Sequence, residues 1–232
     1  MALGQIKVST PTYNDVVPST KQQVILRPFK VSDEKVLMLA GETKDTKQMV
    51  NALKEVVGNC CDGLDVETLA SFDLEYLFLK LRSVSVGETS EISINCKKCE
   101  HKNKVTVNLE EIQVTFPEET KTVFKINETL ALELRYPQVD GLAGIDTNDF
   151  DSILRMVASS VKRVFHNEDT YEIGVTDIDD VVDILNQLNS KQFADVQSFF
   201  ENMPKVSEEV AFVCAECEEE NSYKVEGLAN FF

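Results

Sequence analysis

Four cysteines in two C-x-x-C pairs, Cys96 with Cys99 and Cys214 with Cys217, carry the chemistry most legible in this chain. At that spacing a tight turn aims both sulfurs at one point. Two such pairs can close a tetrahedral shell around one ion at about 2.3 Å. We read a structural zinc site held by all four. Two independent disulfides, or a rubredoxin-like iron site, are alternative uses of the same spacing. A closed shell of four sulfurs keeps no open position for water, so the chemistry it implies is support rather than catalysis.

The flanking residues say what must position those sulfurs. Ile92 and Ile94 precede the first pair as Val210 and Phe212 precede the second; Val105 and Val107 follow the first as Tyr223 and Val225 follow the second. The two stretches align without a gap. Alternation of apolar and polar residues on both sides of a polar turn is the pattern of a short β-hairpin with its cysteines at the tip. The expectation is a zinc ribbon split into two knuckles. Its metal would tie residue 99 to residue 214 across everything between them.

Other reactive groups are sparse. Cys60 and Cys61 are adjacent near an expected helix end and read as passive thiols, with a redox role as the alternative. The two histidines, His101 and His166, read as surface or supporting residues. Asp177, Asp179 and Asp180 fall in the first turn of an expected helix, where the dipole favours negative charge. No glycine-rich phosphate loop, H-E-x-x-H or G-x-S-x-G occurs, so no enzymatic activity is expected.

The 232 residues carry 23 Lys+Arg against 40 Asp+Glu, a formal net charge of −17. A field of that sign repels phosphate backbones and anionic membranes. It demotes a zinc-ribbon nucleic-acid-associated factor to the alternative reading. Lys97, Lys98, Lys102 and Lys104 form a local basic cluster opposite Glu216, Glu218, Glu219 and Glu220, which suggests hairpins lying side by side. No stretch is long and apolar enough for a membrane span, and the N-terminus lacks the layout of a signal peptide. The expected location is a reducing cytoplasm, where clustered cysteines are metal ligands or thiols before disulfides.

Along the chain, residues 1–30 read as an extended arm with strands at Gln5–Val8 and Gln23–Phe29 and a polar, mobile segment between. Residues 31–87 form a helical cluster. Ser32 caps its first helix, and Gly58 ends a second marked by Met49, Val50, Leu53, Val56 and Val57. Residues 88–140 and 206–232 make the split ribbon, with a further hairpin around Asn127. Residues 141–205 are an inserted helical subdomain. In it, Phe150 to Val164 forms one helix, a small hairpin turns at Asn167, and Thr176 and Ser190 cap two more helices. The fold class is α+β. The closing Phe231 and Phe232 either pack on their own domain or anchor a partner.

Several segments together resemble the baseplate hub family of T4-like tailed phages, which includes a hub subunit and a related hub assembly factor. They are Leu26-Arg27-Pro28-Phe29 leading to Glu34-Lys35-Val36-Leu37, the helix ending near Asn59-Cys60, and Phe72-Asp73-Leu74-Glu75-Tyr76-Leu77-Phe78-Leu79-Lys80-Leu81-Arg82 with Ser85-Val86-Gly87-Glu88. The two knuckles and the terminal Gly-Leu-x-x-Phe-Phe complete the set. The resemblance implies a late structural or assembly protein of a contractile tail, located in the host cytoplasm during assembly, with the virion tail baseplate as the further location. Its partners would be other phage baseplate hub proteins, met through the inserted helices or through Phe231 and Phe232. Zinc rests on the cysteine spacing and not on the family.

Overall fold

Short antiparallel strands and helices alternate along the chain, as the two periodicities require. The computed structural model describes residues 8–43, 45–139 and 149–231. The strand expected at Gln5–Val8, save Val8, and the side chain of Phe232 lie outside them. In order the elements are β1 (Tyr13–Val16), β2 (Gln23–Leu26), α1 (Val31–Thr43), α2 (Thr46–Cys60), β3 (Cys61–Asp62), α3 (Ser71–Val86), β4 (Thr89–Asn95), β5 (Lys102–Asn108) and β6 (Gln113–Thr115). There follow β7 (Val123–Lys125), β8 (Leu130–Leu134), α4 (Phe150–Ser159), β9 (Val161–His166), β10 (Asp169–Glu172), α5 (Ile178–Leu185), α6 (Ser190–Glu201), β11 (Lys205–Val213) and β12 (Glu220–Glu226). Mixed helices and antiparallel sheets make this an α+β protein.

The chain divides into two compact units. The first takes the chain up to Val66, Phe72–Val114 and the chain from Val206 onward; the second takes Glu67–Ser71 and Thr115–Lys205. In the first unit, β1, β2 and β3 form one sheet in that order. The segment before β2, expected to be mobile, instead supplies β1, because Tyr13 to Val16 finds a full antiparallel register with Leu26 to Gln23. Asp45 caps α2, its carboxylate accepting the N–H groups of Lys47 (2.8 Å) and Gln48 (3.3 Å). The helix buries Ala52, Leu53, Val56, Val57 and Cys60 on one face. It runs through Gly58 rather than stopping there. A Cβ at that position would stand 3.1 Å from a Val66 methyl, so the glycine serves close packing and not a cap.

Helix α3 is apolar nearly all round and buries Phe72, Leu74, Leu77, Phe78, Leu79 and Leu81. Its Asp73, fully buried, accepts from the backbone and hydroxyl of Ser19. Strands β4 and β5 pair Ile92 with Val105, while β11 pairs with β12 so that Val210 faces Tyr223. Strand β6 adds to β11. Leu79, Ile92, Val107, Leu109, Val206 and Phe231 share one core between these hairpins and α3.

The second unit is a four-stranded sheet of order β10-β9-β8-β7 with α4, α5 and α6. Phe124, Leu132, Leu154, Val157, Leu185 and Phe199 belong to its separate core. Two differences from the sequence reading stand out. Helix α4 ends at Ser159, and Val161 and Val164, expected on its face, lie in β9. Both are β-branched and both stay buried across a register shift at Glu133/Leu134, so spacing alone fits either element. The hairpin β7–β8, expected with the ribbon, pairs through Leu132 with Val164 of β9 and so completes this sheet.

Candidate metal centre

Each knuckle is built the same way. Where β4 ends, the Cys96 N–H donates to the His101 carbonyl (2.8 Å) and the Glu100 N–H returns to the Cys96 carbonyl (3.0 Å). Where β11 ends, Cys214 N–H donates to Glu219 (2.9 Å) and Glu218 N–H to Cys214 (3.0 Å). Glu100 and Glu218 take left-handed backbone conformations, φ 60° and 57°, at matching places in the two turns. The repeat seen in the residues is therefore a repeat in backbone geometry.

The two tips bring all four cysteine sulfurs within 4.8 Å of one another. Cys96 Sγ lies 3.7 Å from Cys217 Sγ, and Cys99 Sγ lies 3.6 Å from Cys214 Sγ. A regular tetrahedron with metal–sulfur bonds of about 2.3 Å has edges of about 3.8 Å. The donor set and the spacing fit a metal ion of that size. Cys96 and Cys214 are buried, whereas Cys99 is exposed and Cys217 half-buried.

Two asparagines lock the tips together. Asn221 on the second knuckle donates from Nδ2 to Cys96 Sγ (3.5 Å), and its Oδ1 accepts the Lys97 N–H (3.0 Å). Asn103 on the first does the reverse: Nδ2 to Cys214 Sγ (3.6 Å), Oδ1 from the Ala215 N–H (2.9 Å). Each also braces its own turn, Asn221 on the Glu219 carbonyl and Asn103 on that of His101, both at 2.9 Å. Both side chains are buried. Sequence reasoning did not assign them, although they occupy the same place in the gapless alignment of the knuckles.

These donors polarise the sulfurs. Backbone N–H groups of Cys99 and Lys98, with the Asn221 amide, bring the Cys96 thiol down to about 6 against a smaller opposing effect of burial. Burial pushes the Cys214 thiol up, but the N–H groups of Cys217 and Glu216 and the Asn103 side chain outweigh it and leave it lowered. For Cys99 the His101 N–H favours the thiolate, yet the neighbouring sulfurs and burial together raise it to about 12. The first cysteine of each knuckle is thus the better anion, and a thiolate is the form that can ligate a metal ion.

Charge across the tips is complementary. Lys98 pairs with Glu219 at 2.6 Å, and Lys97 Nζ donates to the Ser222 carbonyl while lying over the Tyr223 ring. Lys104 pairs with Glu91 on its own hairpin; Lys102 is exposed. His101 contributes its carbonyl to the turn. Cys60 and Cys61 stand apart from the cluster, both pushed up to about 12 chiefly by burial, and Cys60 donates to Asp33. Burial of this kind disfavours the reactive thiolate form. Phe231 is fully buried in the ribbon core, and its carbonyl accepts from the Ser90 hydroxyl at 2.7 Å. Of the two alternatives for this ring, packing on its own domain or anchoring a partner, its burial fits the first.

A family model described as T4 bacteriophage base plate protein matches residues 10–232. No curated protein and no solved structure matches the chain.

Proposed function

The chain belongs to the T4 bacteriophage base plate protein family, and from that premise we propose that it helps build the central hub of the baseplate by docking onto other hub proteins. The match across residues 10–232 carries this reading. The hub resemblance of Phe72 to Glu88 and of the two knuckles narrows it from the baseplate to the hub. In this reading the four cysteines hold zinc. A d¹⁰ ion imposes no redox chemistry and accepts a four-thiolate tetrahedron, so it would rigidify the ribbon without acting on a substrate.

Residues of this chain would do the positioning. Cys96, Cys99, Cys214 and Cys217 would ligate the ion, Asn103 and Asn221 would orient the sulfurs, and the shared core beneath would hold both hairpins. Docking would fall to the second unit, whose helices carry exposed apolar residues such as Phe150. Phe231, buried, would support the ribbon.

Quantitative mass spectrometry of purified particles, beside a pull-down from infected-cell lysate, tests the proposal. A few copies per particle identify a hub subunit. Absence from particles with hub proteins recovered from lysate identifies an assembly factor that leaves. Recovery of nucleic acid, or of no baseplate protein, overturns the hub reading. Metal analysis of the purified chain should give one zinc per polypeptide, and iron in its place would overturn the zinc assignment.

A further inference from the structure

The second unit carries a groove of about 860 Å³ between α5 and the face of its sheet. Ile126, Leu130 and Val164 on the sheet side and Ile184 and Leu188 on the helix side give it apolar walls. Tyr171 of the edge strand β10, 52% exposed, stands at its mouth. An open groove of this size with largely apolar walls is the kind of surface that marks a binding site.

The charges around it select the occupant. Glu172, Asp177 and Asp180 line the groove, and among the described residues no lysine or arginine does. Glu172 is partly neutralised by Arg163 at 2.5 Å, and Asp177 accepts the Gly174 N–H at 2.8 Å. Asp180 is exposed at the first turn of α5. An acidic rim over an apolar floor disfavours a polyanion, and the net charge of −17 disfavours a second copy of this chain. The helical wall, α5 (Ile178–Leu185), is on the order of 12 Å long at 1.5 Å per residue, the length of about two helical turns.

We propose that this groove docks an amphipathic, lysine- or arginine-bearing helix of another baseplate protein, its apolar side chains on Leu130, Ile184 and Leu188 and its cations on Asp180 and Glu172. The identity of the partner as a baseplate protein rests on the proposed hub function; the groove's selection for a basic amphipathic helix does not. Helix-in-groove recognition supplies the energetics: apolar anchors at successive turns give affinity, and the charged rim gives orientation and rate.

The test is a fluorescence-anisotropy titration of the full chain with a labelled synthetic amphipathic helix of Leu and Lys, beside an analogue with Glu in place of Lys. The Leu/Lys helix should bind and the Leu/Glu helix should bind at least about tenfold more weakly, a difference of about 1.4 kcal/mol. Asp180→Lys and Tyr171→Ser, both at exposed positions and so compatible with folding, should each weaken the Leu/Lys helix by roughly tenfold. Glu201→Lys, the same change of charge on exposed α6 outside the groove, should stay within about twofold. Equal loss in Glu201→Lys, equal binding of the Leu/Glu helix, or unchanged binding in Tyr171→Ser each overturns the proposal. Failure of the titration while hub proteins are still recovered from lysate removes the groove and keeps the hub function; success with no baseplate protein recovered does the opposite.

Discussion

Asn103 and Asn221 fasten one cysteine turn to the other, each giving an N–H to a sulfur and taking one from the backbone across the interface. Replacing both with alanine removes ligand orientation and leaves two backbone donors without partners. The Asn103→Ala/Asn221→Ala chain should bind metal roughly 10- to 100-fold more weakly in chelator competition, with its hairpins still formed in the metal-loaded state. The cysteines were legible because C-x-x-C has few other uses at a hairpin tip. The asparagines repeat equally well, but their meaning depends on knowing that the two tips cross-pair. Glu75 was not legible at all: nothing in an apolar helix announces a carboxylate that accepts the Leu228 N–H at 3.1 Å. Burial raises its pKa, with the Leu228 N–H opposing. The folded state then holds the proton more tightly than the unfolded one, so stability falls as pH rises from the ordinary glutamate range through the folded value. Glu75→Gln, which keeps the acceptor oxygen, should raise the melting midpoint at pH 7 and leave it nearly unchanged at pH 4 in parallel thermal scans.

At the scale of elements, caps and packing decided what periodicity left open. Helix α6 starts one residue earlier than its serine suggests: Asn189 accepts the Gln192 N–H at 3.0 Å while the Gln192 side chain accepts that of Asn189 at 2.9 Å. Asn189→Ala should cost about 1 kcal/mol in denaturant unfolding of the chain, and Ser190→Ala much less. Hairpins were read well, because alternation around Asn127 and Asn167 has no helical counterpart. The α4–β9 boundary was missed because Val157, Val161 and Val164 satisfy a helical spacing, while Ser160 ends the helix between them. Leu154, buried beneath that boundary, should cost about 2–5 kcal/mol when cut to alanine, read as loss of the second unit's unfolding transition at lower denaturant.

Among the described residues each compact unit has buried apolar clusters of its own, and the four cysteines lie in the first unit. A structural zinc contributes roughly 10–16 kcal/mol of apparent binding energy to whatever folding it is coupled to. Chelation should therefore speed amide exchange in β4, β5, β11 and β12, while amides in β8 and β9 keep their protection. Equal loss in β8 and β9 would mean that the two units melt together. Sequence order alone led to the expectation of an insertion at 141–205 between ribbon halves; the sheet partners that draw Val123–Leu134 into the second unit depend on contacts no local pattern reports. The split also sets a timetable for synthesis. Cys96 and Cys217 are 121 positions apart, and a ribosome adding about 5–20 residues per second separates them by roughly 6–24 s. For that interval the first hairpin is a half-site with two thiols and a lone Asn103, while the second unit, whose sheet and helices run from Val123 to Glu201, receives all of them. The inserted unit can finish folding during translation; the ribbon that flanks it must wait for its own second half.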